Sequence, residues 1–346
     1  MKILHTADWH LGQTFYEYDR REEHFHFLEW LKQQIKQHEI DVLLIAGDVF
    51  DSPNPSAESQ RVYYRFLREV TSENPSLQIV IIAGNHDSAA RLEAPNPLLE
   101  DMNIIVRGTV RRNAEGDIDL QQLIVPLYTE GKVTAYCLAV PYLRQGDYPS
   151  AENYSKGVQQ LYEQLFNKVK EKGIPVVAMG HLQATGSEIS EDDQKQLEDK
   201  IQKLTDDRSE RTVIGGLGCV SPDAFNEAIT YTALGHLHRS QRVSHRENVR
   251  YSGTPMPMSF AEKNNASGVV MVTIDTEGTN IEKLEFQPLA GLVSIPPEAR
   301  PLEEVLQVIG ELPDGDVTLR SPYLEIKILM TEPEPSYKYK IEEALK

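Results

Sequence analysis

The sequence predicts an α/β fold in which parallel strands, separated by helices, present their C-terminal ends to one crevice. Three observations lead there. Short apolar runs recur along the chain, as Val42-Leu43-Leu44-Ile45-Ala46 and Ile79-Val80-Ile81-Ile82-Ala83 show. Segments of helical period lie between them. Each run also ends in a side chain able to bind a metal.

Taken in order, Lys2 to Ala7 delivers Asp8 and His10. From about Arg20 to His38, Phe25, Leu28, Leu31 and Ile35 repeat at three or four residues, which predicts a helix with one buried face. His24, His26 and His38 on or near it are expected to pack or face solvent. The run from Val42 then leads through Gly47 to Asp48, completing a βαβ unit of parallel type. Asp51-Ser52-Pro53-Asn54-Pro55 is turn chemistry. Glu58 to Thr71 reads as a helix whose Val62, Tyr63, Phe66, Leu67 and Val70 share a side. Its aromatic side fits either packing on the sheet or self-association. The run from Ile79 leads through Gly84 to Asn85-His86-Asp87, and a short helical piece follows at Leu98-Leu99.

Asn103 to Val140 alternates in short runs, predicting strands on the far side of the domain. Tyr154 to Lys172 is a helix feeding the strand that passes Gly180 to reach His181. Gly186 to Arg211 interleaves acids with lysines and arginines, and reads as a solvated excursion or a lid. Thr232-Ala233-Leu234-Gly235 then leads to His236 and His238. Val249 to Pro255 and Gly268 to Thr273 are expected to be antiparallel strands closing a second layer. A boundary is placed near Pro288, dividing residues 1–287 from a small accessory unit at 288–346. That unit holds a helix at Pro301 to Leu312, a strand at Tyr323 to Met330 and a helix from Tyr337.

Length and composition bound the function. A chain of 346 residues, 40% hydrophobic, builds one large domain or a large and a small one. No apolar run approaches the roughly 20 residues of a spanning helix, and the N-terminus lacks the apolar core of a signal peptide. A cytoplasmic protein without membrane association is expected. Cys137 and Cys219 have no second thiol at ligand spacing and are expected to be plain buried thiols. The net charge of -18 argues against tight, metal-free binding of nucleic acid. Divalent cations in an acidic site reverse the local sign, so an anionic substrate stays open.

The chemistry rests on joint placement. Asp8, His10, Asp48, Asn85, His181, His236 and His238 all stand at strand ends, and glycine precedes four of those ends. Carboxylate, imidazole and amide donors without thiolate suit Mn²⁺, Fe²⁺ or Zn²⁺ in a catalytic rather than a structural site. Seven donors exceed one tetrahedral ion. They suit two ions about 3.5–4 Å apart that share a carboxylate, for which Asp48 is the candidate. Such a pair activates water and neutralises charge at a phosphoryl centre, which favours phosphoester hydrolysis. His86, next to Asn85, is the candidate proton donor to the leaving oxygen, with Asp87 orienting it.

Asp8-x-His10, Gly47-Asp48, Gly84-Asn85-His86-Asp87, Gly180-His181 and Gly235-His236-Leu237-His238 together resemble the calcineurin-like metallophosphoesterases. The flanks His5-Thr6-Ala7, Val49-Phe50-Asp51, Ser88, Arg239 and Tyr251-Ser252-Gly253-Thr254-Pro255 look like the SbcD-type nuclease subunits of bacterial SbcCD complexes. The likeness runs over essentially the whole chain. It implies a four-layer α/β/β/α sandwich with a small C-terminal α+β capping domain, and two Mn²⁺ ions. One ion is implied at Asp8, His10, Asp48 and His238, the other at Asp48, Asn85, His181 and His236, with His86 as catalytic histidine. It further implies single-strand endonuclease action and, with an SMC-like ATPase partner of SbcC type, 3′→5′ exonuclease action on DNA ends and opening of hairpins. Dimers are implied through helices placed like Glu58 to Thr71 and Leu98. Some relatives carry histidine where Asp51 stands, so no role transfers to Asp51. The ATPase-binding segment of relatives follows the cap, about where this sequence breaks off in a helix. The rival functions are a small-molecule phosphatase or cyclic-nucleotide phosphodiesterase of the same site chemistry, and a protein that tethers DNA ends with little cutting.

Overall fold

The structure, a computed structural model, describes residues 1–187, 218–313, 315–330 and 333–345. The charged stretch expected to form a lid lies, from residue 188 on, outside the described residues.

β1 (Lys2–Thr6) opens the chain and is followed by a small hairpin, β2 (Thr14–Phe15) and β3 (Tyr18–Asp19). Next come α1 (Arg21–His38), β4 (Val42–Ala46), α2 (Ala57–Glu73) and β5 (Gln78–Ile82). Two short helices, α3 (Ala89–Glu93) and α4 (Asn96–Leu99), lead to β6 (Ile104–Arg107), β7 (Ile124–Thr129) and β8 (Lys132–Ala139). α5 (Tyr154–Val169) precedes β9 (Val176–His181) and β10 (Tyr231–Gly235). β11 (Gln241–Val243), β12 (Arg246–Tyr251), β13 (Gly268–Ile274) and β14 (Thr279–Glu285) complete the large body.

Apart from the β2–β3 hairpin, these strands form two six-stranded sheets, ordered β14-β13-β1-β4-β5-β6 and β11-β12-β10-β9-β8-β7. The neighbours β1, β4, β5 and β6 run parallel, as do β8, β9, β10 and β12. Side chains alternate along a strand, and here both faces are covered, which is why the runs read as continuously apolar. Leu43 and Ile45 of β4 meet Phe27, Leu31, Phe66 and Val70 of α1 and α2. Val42 and Leu44 face the second sheet, against Val177, Met179, Tyr231 and Ala233. On the far face of that sheet, Ala178 and Leu234 pack on Val158, Leu161 and Leu165 of α5. The result is four layers, helix, sheet, sheet and helix.

Three strands differ from expectation. Arg246–Tyr251, expected antiparallel in the second layer, joins that layer but runs parallel to β10 and antiparallel only to β11. Gly268–Ile274, expected in the second layer, pairs antiparallel with β1 in the first sheet. Its side chains are buried nearly throughout, so it fits beside a central strand. Ile104–Arg107 likewise forms the edge of the first sheet and not the far side. Alternation shows which residues face inward; it does not say which sheet they join. The aromatic side of α2 is spent on the core: Tyr63 is fully buried, edge-on to Phe50.

Residues beyond 290 form a small parallel pair, β15 (Leu292–Arg300) with β16 (Tyr323–Ile328), plus α6 (Leu302–Gly310) and α7 (Tyr337–Ala344). Ile295, Val305 and Ile309 are its buried centre. It touches the large body at Tyr323, whose hydroxyl donates to Glu23 Oε1 at 2.8 Å, and at Ser294, which accepts from Lys263 Nζ at 2.6 Å. None of the described helices is long and apolar enough to cross a membrane.

Candidate metal centre

The C-terminal ends of β1, β4, β5, β9 and β10 meet where the edges of the two sheets come together. The first sheet brings Asp8, His10, Asp48 and Asn85; the second brings His181, His236 and His238. The expected crevice is therefore walled by two sheets and not by one.

The chain bends sharply to present these groups. Asp8, His10, Asp48 and His236 have φ of 54°, 47°, 49° and 99°, a region that L side chains avoid. Each such residue costs on the order of 1–3 kcal/mol, and such residues gather at functional sites. Backbone bonds hold the two first-sheet loops side by side: Asp8 N donates to Gly47 O and His10 N to Asp48 O, both at 3.0 Å. Gly47 and Gly84 are required by close approach. A Cβ on Gly47 would lie 2.3 Å from His181 Nδ1, and one on Gly84 would lie 2.1 Å from Asp48 Oδ1.

Asp48 stands between the two walls. Its Oδ2 is 3.2 Å from His181 Nε2 and 3.8 Å from His10 Nε2, while Oδ1 accepts from His86 N at 2.8 Å. On one side, single donor atoms of Asp8, His10 and His238 lie within 4.8 Å of one another. On the other, Asp8, Asp48 and His181 do the same, and Asn85 Oδ1 is 3.0 Å from His181 Nε2 and 2.9 Å from His236 Nδ1. All seven candidate ligands are thus brought together.

The protonation states follow from packing. Burial pushes the Asp48 carboxyl up, but the His181 charge beside it outweighs this and holds it below the usual range. Burial pulls His181 down, yet the Asp48 carboxylate overrides it and raises the ring to about 9. Desolvation, with the His181 charge, drives His236 down to about 3, so it stays neutral. Burial raises Asp8.

A divalent ion fits this donor set. Both ring nitrogens of His10 are buried without a hydrogen-bond partner, a costly state that coordination would relieve. His181 spends Nδ1 on Ala46 O at 2.9 Å, and His238 spends Nδ1 on Glu262 Oε1 at 2.9 Å. Each then offers Nε2 as the ligand atom, the usual arrangement of a metal-binding histidine.

His86 lies at the rim, exposed, 4.9 Å edge-on from His10. Asp87 does not orient it. The Asp87 carboxylate accepts from Gly84 N, Val49 N and Phe50 N at 2.9, 3.2 and 3.0 Å, tying the β5 end to the turn after Asp48. His86 Nδ1 instead meets Asp51 O at 2.9 Å. Two further acids stand at the site: Asp51, to which the resemblance assigns no role, and Glu262, which the sequence does not mark. Asp51 Oδ1 lies 3.3 Å from His10 Nδ1, and Glu262 is the buried partner of His238. Glu262 follows no apolar run, and no local signal singles it out.

With this geometry in place, comparison with known proteins decides the family. The sequence pattern of the calcineurin-like phosphoesterases matches residues 1–240. The chain belongs to that family. Among curated relatives is SbcD of Rhodobacter capsulatus, a component of the nuclease SbcCD. It is 37% identical over 325 residues, covering 90% of this chain and 76% of that protein. The SbcD protein of Escherichia coli K12 is 31% identical, covering 84% of this chain and 70% of its own length. That of Bacillus subtilis 168 is 30% identical, over 79% and 66%. The chain is a metal-dependent hydrolase, a nuclease of the calcineurin-like phosphoesterase fold.

Proposed function

We propose that this enzyme is a two-metal DNA nuclease, acting on DNA ends, hairpins and single strands with an SMC-like ATPase of SbcC type. The observation that carries the reading is Asp48, whose carboxylate lies between His181 and His10, groups from opposite walls of one site. The relatives that are components of SbcCD nucleases support the substrate and the partner. Mn²⁺ is the favoured ion, given hard carboxylate and amide oxygens mixed with imidazole.

In this reading Asp8, His10 and His238 hold one ion, Asn85, His181 and His236 the other, and Asp48 both. Bound there, divalent ions supply an activated water and neutralise charge on the phosphoryl group. The protein supplies the rest. Asp48, with its low proton affinity, stays ionised at neutral pH and binds without releasing a proton. His181 holds a proton in the metal-free site and gives it up on ligation. His86, its Nδ1–H directed to Asp51 O, is anchored to donate from Nε2 to the leaving oxygen when doubly protonated. Asp87 keeps the loops of Asp48 and His86 in register and is a positioning residue.

We also propose a nuclease unit at 1–287 and a capping unit at 288–346. Self-association would use what α2 and α4 leave outside the core, Leu98 (74% exposed) and half-buried Tyr64.

The test is cleavage of linear duplex, hairpin and single-stranded DNA with Mn²⁺ or Mg²⁺, with and without the ATPase partner. Acid-soluble nucleotides from linear duplex are expected. Turnover of a small aryl phosphodiester alone would point to the phosphatase-type reading, and DNA binding without cutting to a tether.

A further inference from the structure

His238 differs from the other candidate ligands in being held by a side chain from outside the strand ends. Glu262 lies in the segment Met258 to Lys263, beyond every candidate ligand in the chain. It is buried, and its two oxygens are both engaged: Oε1 with His238 Nδ1 at 2.9 Å, Oε2 with Met258 N at 2.8 Å. The next residue points the other way. Lys263 Nζ donates to Ser294 Oγ of β15 at 2.6 Å, and Ser294 Oγ donates to Glu325 Oε2 of β16 at 2.6 Å. Two residues earlier than Glu262, Phe260 packs on Phe15 at 5.4 Å between ring centres, and Phe15 packs on Tyr323 of β16 at 4.8 Å. One short segment is thus gripped by the C-terminal unit on one side and holds a metal-site histidine on the other.

We propose that Glu262 is the positioning residue for His238, and that the C-terminal unit, through Lys263 and Ser294, sets the affinity of the ion that His238 helps to hold. The inference rests on the metal-site reading given above. An acid on Nδ1 fixes the ring and its tautomer, and so directs the Nε2 lone pair at the ion. Removing such a partner lowers metal affinity by about 10–100-fold. A shift of the C-terminal unit would act in the same way, because Glu262 and Lys263 are adjacent in one helical turn.

The experiment is calorimetric titration of Mn²⁺ into metal-stripped protein comprising residues 1–346. In the unmodified chain two binding events are expected. In Glu262→Ala one event weakens by about 10–100-fold and the other is unchanged; Glu262→Gln, whose single acceptor oxygen can serve His238 or Met258 but not both, lies between. Lys263→Met weakens the same event, by less. If unmodified protein binds no Mn²⁺, the metal-site reading itself fails. If it binds two ions and Glu262→Ala does so with unchanged affinities, Glu262 does not position His238. If Glu262→Ala does not fold, Glu262→Gln decides: equal affinities in both events overturn the proposal. Unchanged binding in Lys263→Met overturns the share assigned to the C-terminal unit.

Discussion

Two histidines that the second sheet brings to the site, His181 and His238, are held with different rigidity. His181 is the last residue of β9, buried, and its Nδ1 is held by Ala46 O of the strand that delivers Asp48. Every atom in that contact belongs to sheet interior. His238 stands beyond the end of β10, on a loop, and is held by a side chain from a segment that leans on the C-terminal unit. Interior sheet does not move without breaking the ladder, whereas a loop gripped by a separate small unit follows that unit. On the two-ion reading proposed above, the position at His181 would be part of the fold, and the one at His238 would be tied to what happens at the proposed C-terminal unit.

The largest test is at the group that the two proposed ion positions share. Asp48→Ala is expected to lose both ions and all metal-dependent cleavage, whereas Asp8→Ala weakens mainly one. Counting bound metal per chain by native mass spectrometry separates them. Loss of one ion in each, independently, would show that Asp48 does not bridge. Next comes His86→Ala. This ring belongs to the rim and not to the walls, so kcat should fall by about 10²–10⁴-fold with both ions retained. Nuclease activity within a few-fold of the parent would remove His86 from the chemistry.

A smaller effect is expected from the packing that fixes the Asp48 loop. Gly84→Ala forces a methyl onto Asp48 Oδ1, with the Asp48 backbone nitrogen 2.3 Å away as well. The strand has no slack to give, so overpacking costs about 1–3 kcal/mol. Denaturation in urea of metal-free protein measures it, and an unchanged midpoint would mean that the packing of Gly84 on Asp48 yields readily.

How much of this is legible in the chain follows the same contrast. The strand-end ligands are readable because apolar run, glycine and ligand are consecutive: Ile45-Ala46-Gly47-Asp48 carries strand, turn and chemistry in four residues. The helix and sheet layers follow from runs buried on both faces. The outer support is not readable. Glu262 reaches His238 only because two distant loops meet, and Ser259-Phe260-Ala261-Glu262-Lys263 has no periodicity of its own. The role expected of Asp87 fails for a related reason. Adjacency to His86 in sequence suggests contact, but at a tight turn successive side chains diverge, and three backbone N–H groups claim the carboxylate. The sheet to which β13 belongs is hidden because its pattern is the same in either layer.

The two sheets also meet below the metal site, and there a pH effect is expected. His5 of β1 is fully buried, with Nδ1 2.8 Å from the Tyr231 hydroxyl of β10. Burial pulls this ring down to about 3. The folded state therefore keeps it neutral while the unfolded chain binds a proton below about 6.5. His24, buried under α1 and facing the Arg20 charge, is lowered to about 4 and adds the same sign. Stability from both is fully present above a pH of about 6.5 and falls toward about 4, by about 1.4 kcal/mol per pH unit for each histidine. His181 has the opposite sign in metal-free protein: raised to about 9, its contribution is full below the unfolded value of about 6.5 and is lost as pH rises through 9. The inter-sheet seam is thus sensitive to acid at His5 and to alkali at His181. Urea midpoints of metal-stripped protein should fall from about pH 7 to about pH 5 with a steeper slope than in His5→Gln, which cannot titrate yet keeps a hydrogen-bonding group toward Tyr231. Equal slopes would mean that His5 is charged in the folded protein, and that the seam between the sheets is wetter than its packing implies.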